Sequence, residues 1–312
     1  MRLQDSQILI TGGRGFLGTN LFKALKGMGM NNSQISRPPK DYDLRKVVSA
    51  EFVTNSNDIV FHLAANVGGI GKHIKQPANM IYDNLMMGLN IIEAARKYDI
   101  KKLILIGTAC SYPQKASIPL REKDIWDGKP VVETGPYGDA KRTLLAVAQA
   151  YREQYGLNSI YIIPTNLYGK YDNFGNEDAH VIPSLIRKVN QAKNQRSRTV
   201  KVWGNGNATR EFLYVDDAVN GLIMATKHYN KTEPINLGTG RETSIKEVVD
   251  IIKEEMGYNG KTRWDSKMPN GTEHRQMDTK KAYAEFGFKA STTLEEGLQK
   301  TIDWYNSEYK GK

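Results

Sequence analysis

Apolar residues follow two rhythms in the first half of the chain. Four short runs have almost no polar interruption: Gln7 to Thr11 (QILIT), Asp58 to Ala64 (DIVFHLA), Lys102 to Thr108 (KLILIGT) and Asn158 to Pro164 (NSIYIIP). Such runs read as strands buried on both faces. Between them the apolar residues take helical spacing. Gly15 to Lys26 has Phe16, Leu17, Thr19 and Leu21 to Leu25 for its buried side. Asn79 to Tyr98 repeats Ile81, Leu85, Leu89, Ile92 and Ala95, and Tyr137 to Tyr155 is a third long helix. Buried strands alternating with helices predict an α/β fold with a doubly wound parallel sheet. After Pro164 the rhythm breaks. Gly, Asn, Asp and Tyr crowd Asn166 to Asp178, the elements shorten, and helices are expected near 243–256 and 293–307. The expected organisation is a first domain over 1–165, to which the chain returns around 211–235. A smaller α/β domain, mainly 166–312, follows around a ligand cleft.

Composition narrows the function class. The chain of 312 residues has room for one large domain or two intimate ones, and 39% hydrophobic residues suffice for a core. Its single cysteine, Cys110, excludes an intramolecular disulfide. No apolar run is long enough for a membrane span, and the first seven residues lack the apolar stretch of a secretory signal. A cytoplasmic protein with no membrane association is expected. A formal charge of +10 suggests an anionic partner. The basic stretch Lys188 to Lys201 accompanies no nucleic-acid motif and reads as a solvated helix and loop, so no nucleic acid is expected. No His, Cys or carboxylate spacing suggests a metal.

The first strand runs into Thr11-Gly12-Gly13-Arg14-Gly15-Phe16-Leu17-Gly18, which opens the first helix. Glycines 12, 15 and 18 permit a tight turn and a close backbone approach, with the helix N-terminus facing a pyrophosphate. The first domain is therefore expected to bind a dinucleotide. An NAD site usually ends its second strand with Asp or Glu for the ribose hydroxyls. Here Gln34-Ile35-Ser36-Arg37 offers Arg37, and Arg14 sits within the glycine loop. Two guanidiniums suit a 2′-phosphate, which favours NADP(H). Asp41 and Asp43, a few residues on, keep NAD open.

Tyr137 and Lys141 are one helical turn apart and project from one face. An ammonium near a phenol lowers its pKa and fits it to exchange protons with a substrate oxygen. Thr108 ends the preceding strand. Together these resemble the Ser/Thr–Tyr–Lys group of the extended short-chain dehydrogenase/reductases, whose first domain is a Rossmann fold.

Six blocks in order narrow the resemblance: Val67-Gly68-Gly69-Ile70, Thr108 to Pro113, Pro164 to Gly169, Asp172-Asn173-Phe174, His180-Val181-Ile182-Pro183 and Arg210 to Asp217. With them the chain resembles the GDP-L-fucose synthase family from the glycine loop to Pro269-Asn270-Gly271-Thr272. That resemblance implies NADPH-dependent 3,5-epimerisation and 4-reduction of a GDP-linked 4-keto-6-deoxy sugar by a homodimer. It implies Cys110 as base, His180 as acid and Lys141 setting Tyr137. Cofactor contacts are implied at Gly12, Arg14, Gly15, Phe16, Leu17, Gly18, Arg37, Ala64, Ala65, Gly107, Lys141, Pro164, Asn166, Leu167 and His180. Sugar-nucleotide contacts are implied at Lys188, Trp203, Arg210 and Asn270. The chemistry is coherent, because a C4 ketone acidifies C3–H and C5–H, and inversion requires acid/base groups on two faces. An ordinary thiol and imidazole, with pKa values of about 8.5 and about 6.5, suit that exchange.

Some positions depart from the family pattern. Thr108-Ala109-Cys110-Ser111 stands for Ser-Ser-Cys-Ile, Lys188 for an arginine, Asn270 for an aspartate, and Gly138 is unusual in the first turn of the tyrosine helix. These leave open a related GDP-sugar such as a heptose derivative, or epimerisation without net reduction. A 4,6-dehydratase needs an acidic pair where Ala109 and Cys110 stand. A non-catalytic NADP sensor has no need of Tyr137 and Lys141. His62, His73, His228 and His274 have no comparable context and receive no role.

Overall fold

The computed structural model describes residues 2–175, 179–268 and 272–309. β1 (Ile8–Thr11) passes through the glycine loop into α1 (Phe16–Gly27), β2 (Ile35–Ser36), α2 (Val47–Thr54) and β3 (Ile59–His62). There follow α3 (Ile70–Lys75), α4 (Pro77–Lys97), β4 (Lys102–Ile106), α5 (Gly135–Tyr155) and β5 (Ser159–Pro164). These five strands form one parallel sheet in the order β2-β1-β3-β4-β5, and β9 (Ile235–Leu237) adds a sixth at the β5 edge.

The uninterrupted apolar runs are explained by the two cores they serve. Every residue of β1 and β3 is buried. Ile8, Ile10, Phe61, Ile104 and Ile162 point to one face, where they meet Leu21 and Leu25 of α1. Leu9, Val60, Leu103, Leu105, Tyr161 and Ile163 point to the other, against Ala50 of α2, Ile91 and Ile92 of α4 and Leu144 and Leu145 of α5. This is the period-two alternation of a sheet covered on both sides. α4 and α5 pack closely at Gly88, where an added Cβ would run into the Leu144 side chain.

Beyond β5 the chain builds two small sheets among the described residues. β6 (Asn166–Tyr168) pairs in parallel with β8 (Thr209–Tyr214), which pairs antiparallel with β10 (Glu242–Ser244). β7 (Thr199–Trp203) pairs with β11 (Lys261–Asp265). α6 (Val181–Asn194) and α8 (Ile245–Glu255) pack against each other, and α10 (Leu294–Trp304) packs on α8. α7 (Val215–His228) turns back onto α1 and β5, and α9 (Lys280–Phe286) packs on β9. The expected helix near 243 therefore starts as β10. Ser244 then caps α8, its hydroxyl accepting from Glu247 N at 3.1 Å.

One buried carboxylate joins these pieces. Glu211, in β8 and fully buried, accepts from Gly240 N at 2.9 Å and Met277 N at 2.6 Å, and also from Thr239 N. Neighbouring Arg210 donates through Nη1 to Thr209 O and Thr272 O. Among the described residues no helix is long and apolar enough to cross a membrane, and no three metal-ligating side chains cluster.

Candidate active site

The carboxyl ends of the parallel strands meet along one edge, where open α/β sheets bind ligands. Gly12 has φ +65°, and a Cβ there would lie 2.8 Å from Ala64 N. A Cβ at Gly18 would lie 2.6 Å from Gly13 Cα. Gly15 N–H donates to Gly12 O at 2.9 Å, closing the turn. Gly15 is also the N-cap of α1 and offers no side-chain acceptor, so the first N–H groups of the helix remain available to an anion. Phe16 and Leu17 begin the helix and pack on the core. Ala64, its N–H bound to Thr11 Oγ1 at 3.2 Å, forms with Ala65 the facing wall.

At the end of β2 the Arg37 guanidinium lies 3.5 Å over the Phe22 ring, and its Nη1 donates to Gly13 O at 3.3 Å. Partial burial and the charge of exposed Arg14 both lower the Arg37 pKa. Two cations held together over a helix N-terminus suit a phosphate. Asp43 does not compete for the ribose, because its carboxylate grips Arg45 at 2.9 Å through both oxygens. Gly107 follows β4, where a side chain would run into the Tyr161 ring, and its N–H donates to Ile162 O at 2.7 Å. Pro164 ends β5, and Asn166 and Leu167 begin β6, with Asn166 Nδ2 donating to Glu211 O at 2.9 Å. The cradle fits a dinucleotide with an added phosphate.

Thr108 caps the short turn Ala109–Ser111, its hydroxyl accepting from Cys110 N at 3.2 Å. The unusual Gly138 explains itself here. α5 approaches that turn so closely that a Cβ at 138 would lie 2.7 Å from the Cys110 carbonyl carbon, and Ser111 Oγ donates to Gly138 O at 3.0 Å. Cys110 is thereby brought close enough to act on the Tyr137 phenol. Tyr137 and Lys141 are both buried, with Lys141 Nζ 5.8 Å from the Tyr137 ring centroid. Tyr161 OH donates to Lys141 O at 2.7 Å and anchors this turn.

The electrostatics differ from the expectation. Burial, followed by the neighbouring Cys110, raises the Tyr137 phenol, and burial pushes the Lys141 ammonium down to about 8. In the ligand-free protein desolvation outweighs the attraction of ammonium for phenolate, because both groups lose water and neither gains a compensating charge.

His73 is the residue that sequence reasoning missed. It lies on α3, just after the Val-Gly-Gly-Ile block, and its ring meets the Tyr137 ring edge-on at 5.4 Å. Its Nδ1 is buried without a hydrogen-bond partner. Burial lowers its pKa, and desolvation followed by the charge of His73 lowers that of His180, the N-cap of α6. Arg275, equally unmarked in sequence, donates to Ala109 O at 2.6 Å. Burial and Arg275 push Arg210 down to about 10, and Cys110 lies close enough to act on it. A cleft of about 610 Å³ opens beside these groups, lined among others by Ile70, Pro113, Thr272 and Arg275. Lys188 Nζ sits 5.3 Å over the Trp203 ring, which is 41% exposed and so is not a core residue. Asn270 lies outside the described residues. His62 is structural, buried and bonded to Thr11 Oγ1 at 2.9 Å.

A fall of the Lys141 pKa from 10.5 to about 8 corresponds to about 3 kcal/mol. Between those values the unfolded chain holds more protons than the folded one. Wild-type stability should therefore rise as pH climbs from 7 to 10. Lys141→Met should stabilise the ligand-free protein at pH 7 by about 1–3 kcal/mol and lose that pH dependence. Urea denaturation across this range measures both.

The model of the NAD dependent epimerase/dehydratase family matches residues 8–238. Among curated proteins, the chain is 38% identical to a probable GDP-L-fucose synthase 1 of Oryza sativa subsp. japonica, covering 97% of this chain and 92% of that protein. Among solved structures, a GDP-6-OMe-4-keto-L-xylo-heptose reductase from C. jejuni superposes with a TM-score of 0.90 at 28% identity, covering 98% of this chain and 99% of the other. A GDP-L-fucose synthetase from Naegleria fowleri bound to NADP gives 0.89 at 28% identity, covering 99% and 95%.

Proposed function

The chain belongs to the NAD dependent epimerase/dehydratase family, in its GDP-L-fucose synthase branch, and we propose that it epimerises a GDP-linked 4-keto-6-deoxy sugar at C3 and C5 and reduces C4 with NADPH. The observation that carries this reading is one constellation. Thr108 caps the turn that carries Cys110, Tyr137 and Lys141 are buried together on α5, Cys110 acts on the Tyr137 phenol, and His73, whose ring meets Tyr137, acts on His180.

Each residue has a task in this reading. Cys110 removes the proton at the carbon next to the ketone, and His180 returns one. Tyr137 and Thr108 hydrogen-bond O4 while negative charge gathers there, and Tyr137 gives O4 its proton at the end. Lys141 keeps Tyr137 poised. NADPH, when bound, supplies the hydride that makes the alcohol. Residues 1–165 with the returning 211–235 serve the dinucleotide, and the remainder serves the GDP-sugar. There Arg210 suits a diphosphate and the Lys188–Trp203 pair a base or sugar. A GDP-linked heptose is the second reading, supported by the likeness to a heptose reductase at a TM-score of 0.90, the same score that a GDP-L-fucose synthetase from Naegleria fowleri gives.

The Arg14–Arg37 pair predicts NADPH over NADH by about tenfold or more in kcat/KM, about 1.4 kcal/mol. Steady-state kinetics with Arg37→Ala should show the preference eroded, and equal use of both cofactors by the wild type would refute the assignment.

The two half-reactions should separate. Cys110→Ser replaces the thiol by a group too weakly acidic to serve as base. It should slow exchange of the C3 and C5 protons into deuterated water by about two orders of magnitude while NADPH still binds. Tyr137→Phe should sharply reduce NADPH oxidation yet retain part of the exchange. Full exchange in Cys110→Ser, followed by NMR, would make Cys110 a packed thiol.

Assembly follows from the outer faces of α4 and α5. Tyr82, Ala146 and Ala150 are exposed there beside half-buried Met86 and Val147. We expect a two-fold homodimer through these helices. Sedimentation giving only monomer at micromolar concentration would contradict it.

A further inference from the structure

His180 has a partner that the epimerase reading does not use. Asp172 lies in the turn after β6, 6% exposed, with one carboxyl oxygen 4.0 Å from His180 Nδ1. That oxygen, Oδ1, accepts from Asn173 N at 2.7 Å, and Oδ2 is buried without a partner. The turn is firmly held. Phe174 is fully buried and packs its ring 5.9 Å from Trp304 and 4.9 Å from Tyr305. Tyr171, just before Asp172, adopts φ +69°, a costly conformation for a tyrosine that fixes the chain's direction there. His180 is the open member of the pair, its side chain 43% exposed. With Nδ1 toward Asp172, Nε2 is the nitrogen free to meet a substrate.

We propose that Asp172 is the positioning residue of His180: its buried carboxyl orients the imidazole through Nδ1 and hands it a proton as Nε2 delivers one to the sugar carbon. This rests on the epimerase reading. At the start Asp172 is a carboxylic acid and His180 a neutral imidazole carrying its proton on Nε2. The Nε2–H bond breaks as the new C–H bond forms, while the carboxyl O–H bond breaks as Nδ1–H forms. His180 ends neutral in the other tautomer, and the negative charge of the enolate has moved to Asp172. A proton from water at Nε2 and return of the Nδ1 proton reset the pair. Burial supports this starting state. It raises the Asp172 carboxyl to about 7 against the pull of the Asn173 N–H, and the half-open imidazole of His180 is lowered by the desolvation of its inner side and then by His73 from α3. Catalytic hydrogen bonds are commonly long before substrate binds, and 4.0 Å lies within reach of that closure.

The test compares the wild type with Asp172→Asn, Asp172→Glu and His180→Asn in two measurements. The first is NMR titration of ring-labelled histidines in ligand-free protein, with the His180 signal identified by its loss in His180→Asn. Asp172→Asn should move the His180 midpoint and change its tautomer ratio, and Asp172→Glu should restore part of both. The second is deuterium exchange at C3 and C5 of the 4-keto sugar nucleotide. In Asp172→Asn the maximal rate should fall by about 10–100-fold with KM nearly unchanged and a shifted pH profile, and Glu should recover part of the loss. An unchanged His180 titration in Asp172→Asn overturns the pairing. A shifted titration with unchanged exchange overturns the proton hand-over. No exchange by the wild type itself overturns the epimerase reading instead, while the titration still decides the pairing.

Discussion

The site depends on how closely two pieces of backbone approach each other. The turn after β4 and the first turn of α5 touch at Cys110 and Gly138, where no side chain fits between them. Ser111 Oγ locks the contact by donating to Gly138 O, and Thr108 holds the turn from its other end. Hydrogen-bonded backbone is the stiffest material in a protein. Placing Cys110 by main chain fixes its relation to Tyr137 far better than side-chain packing can. A glycine early in this helix costs some helix propensity. The cost is offset by the site it permits.

The same compression sets the electrostatics. Tyr137 and Lys141 lie on one face of α5 as their spacing requires, but the burial that brings them to the cleft also strips their water. In the ligand-free protein the phenol rises and the ammonium falls, away from the charged pair that spacing alone suggests. The site is tuned for a partner that brings its own charge. The cationic surroundings agree, with Arg210 and Arg275 beside Cys110 and Arg14 beside Arg37. Each of these pairs is unfavourable by itself, and an anion between its members relieves the repulsion.

What was legible in the sequence divides along physical lines. The parallel sheet was readable because β1, β3, β4 and β5 are buried on both faces, and such strands have no polar positions to blur them. The glycine loop was readable because only glycine tolerates the contacts at 12 and 18. The small sheets were not, since β10 is three half-buried residues and β7 alternates without an apolar run. Among site residues, those on contiguous motifs were found. His73 and Arg275 were missed in their roles because each acts on residues distant along the chain, and Asp172, although it sits in a quoted block, because its pairing with His180 depends on how the intervening turn folds. A histidine on a six-residue helix, an aspartate in a turn and an arginine in a loop carry no periodic signal. The sign of the Tyr137 shift was equally out of reach, because spacing reports neighbours and not lost solvent.

His73 gives these observations a common logic. Its ring meets Tyr137, the group assigned to the C4 oxygen, and its charge acts on His180, the group assigned to the carbon proton. A protonated His73 would oppose protonation of His180, and a neutral one leaves it free to gain a proton. Burial holds His73 toward its neutral form. A neutral ring there packs against the first group without adding a charge that would oppose the second. The Val-Gly-Gly-Ile block supplies the means, since Gly69 caps α3 in extended conformation and lets that short helix start against the cleft. A motif that reads in sequence only as a family mark is in structure the start of the short helix that sets an imidazole against Tyr137.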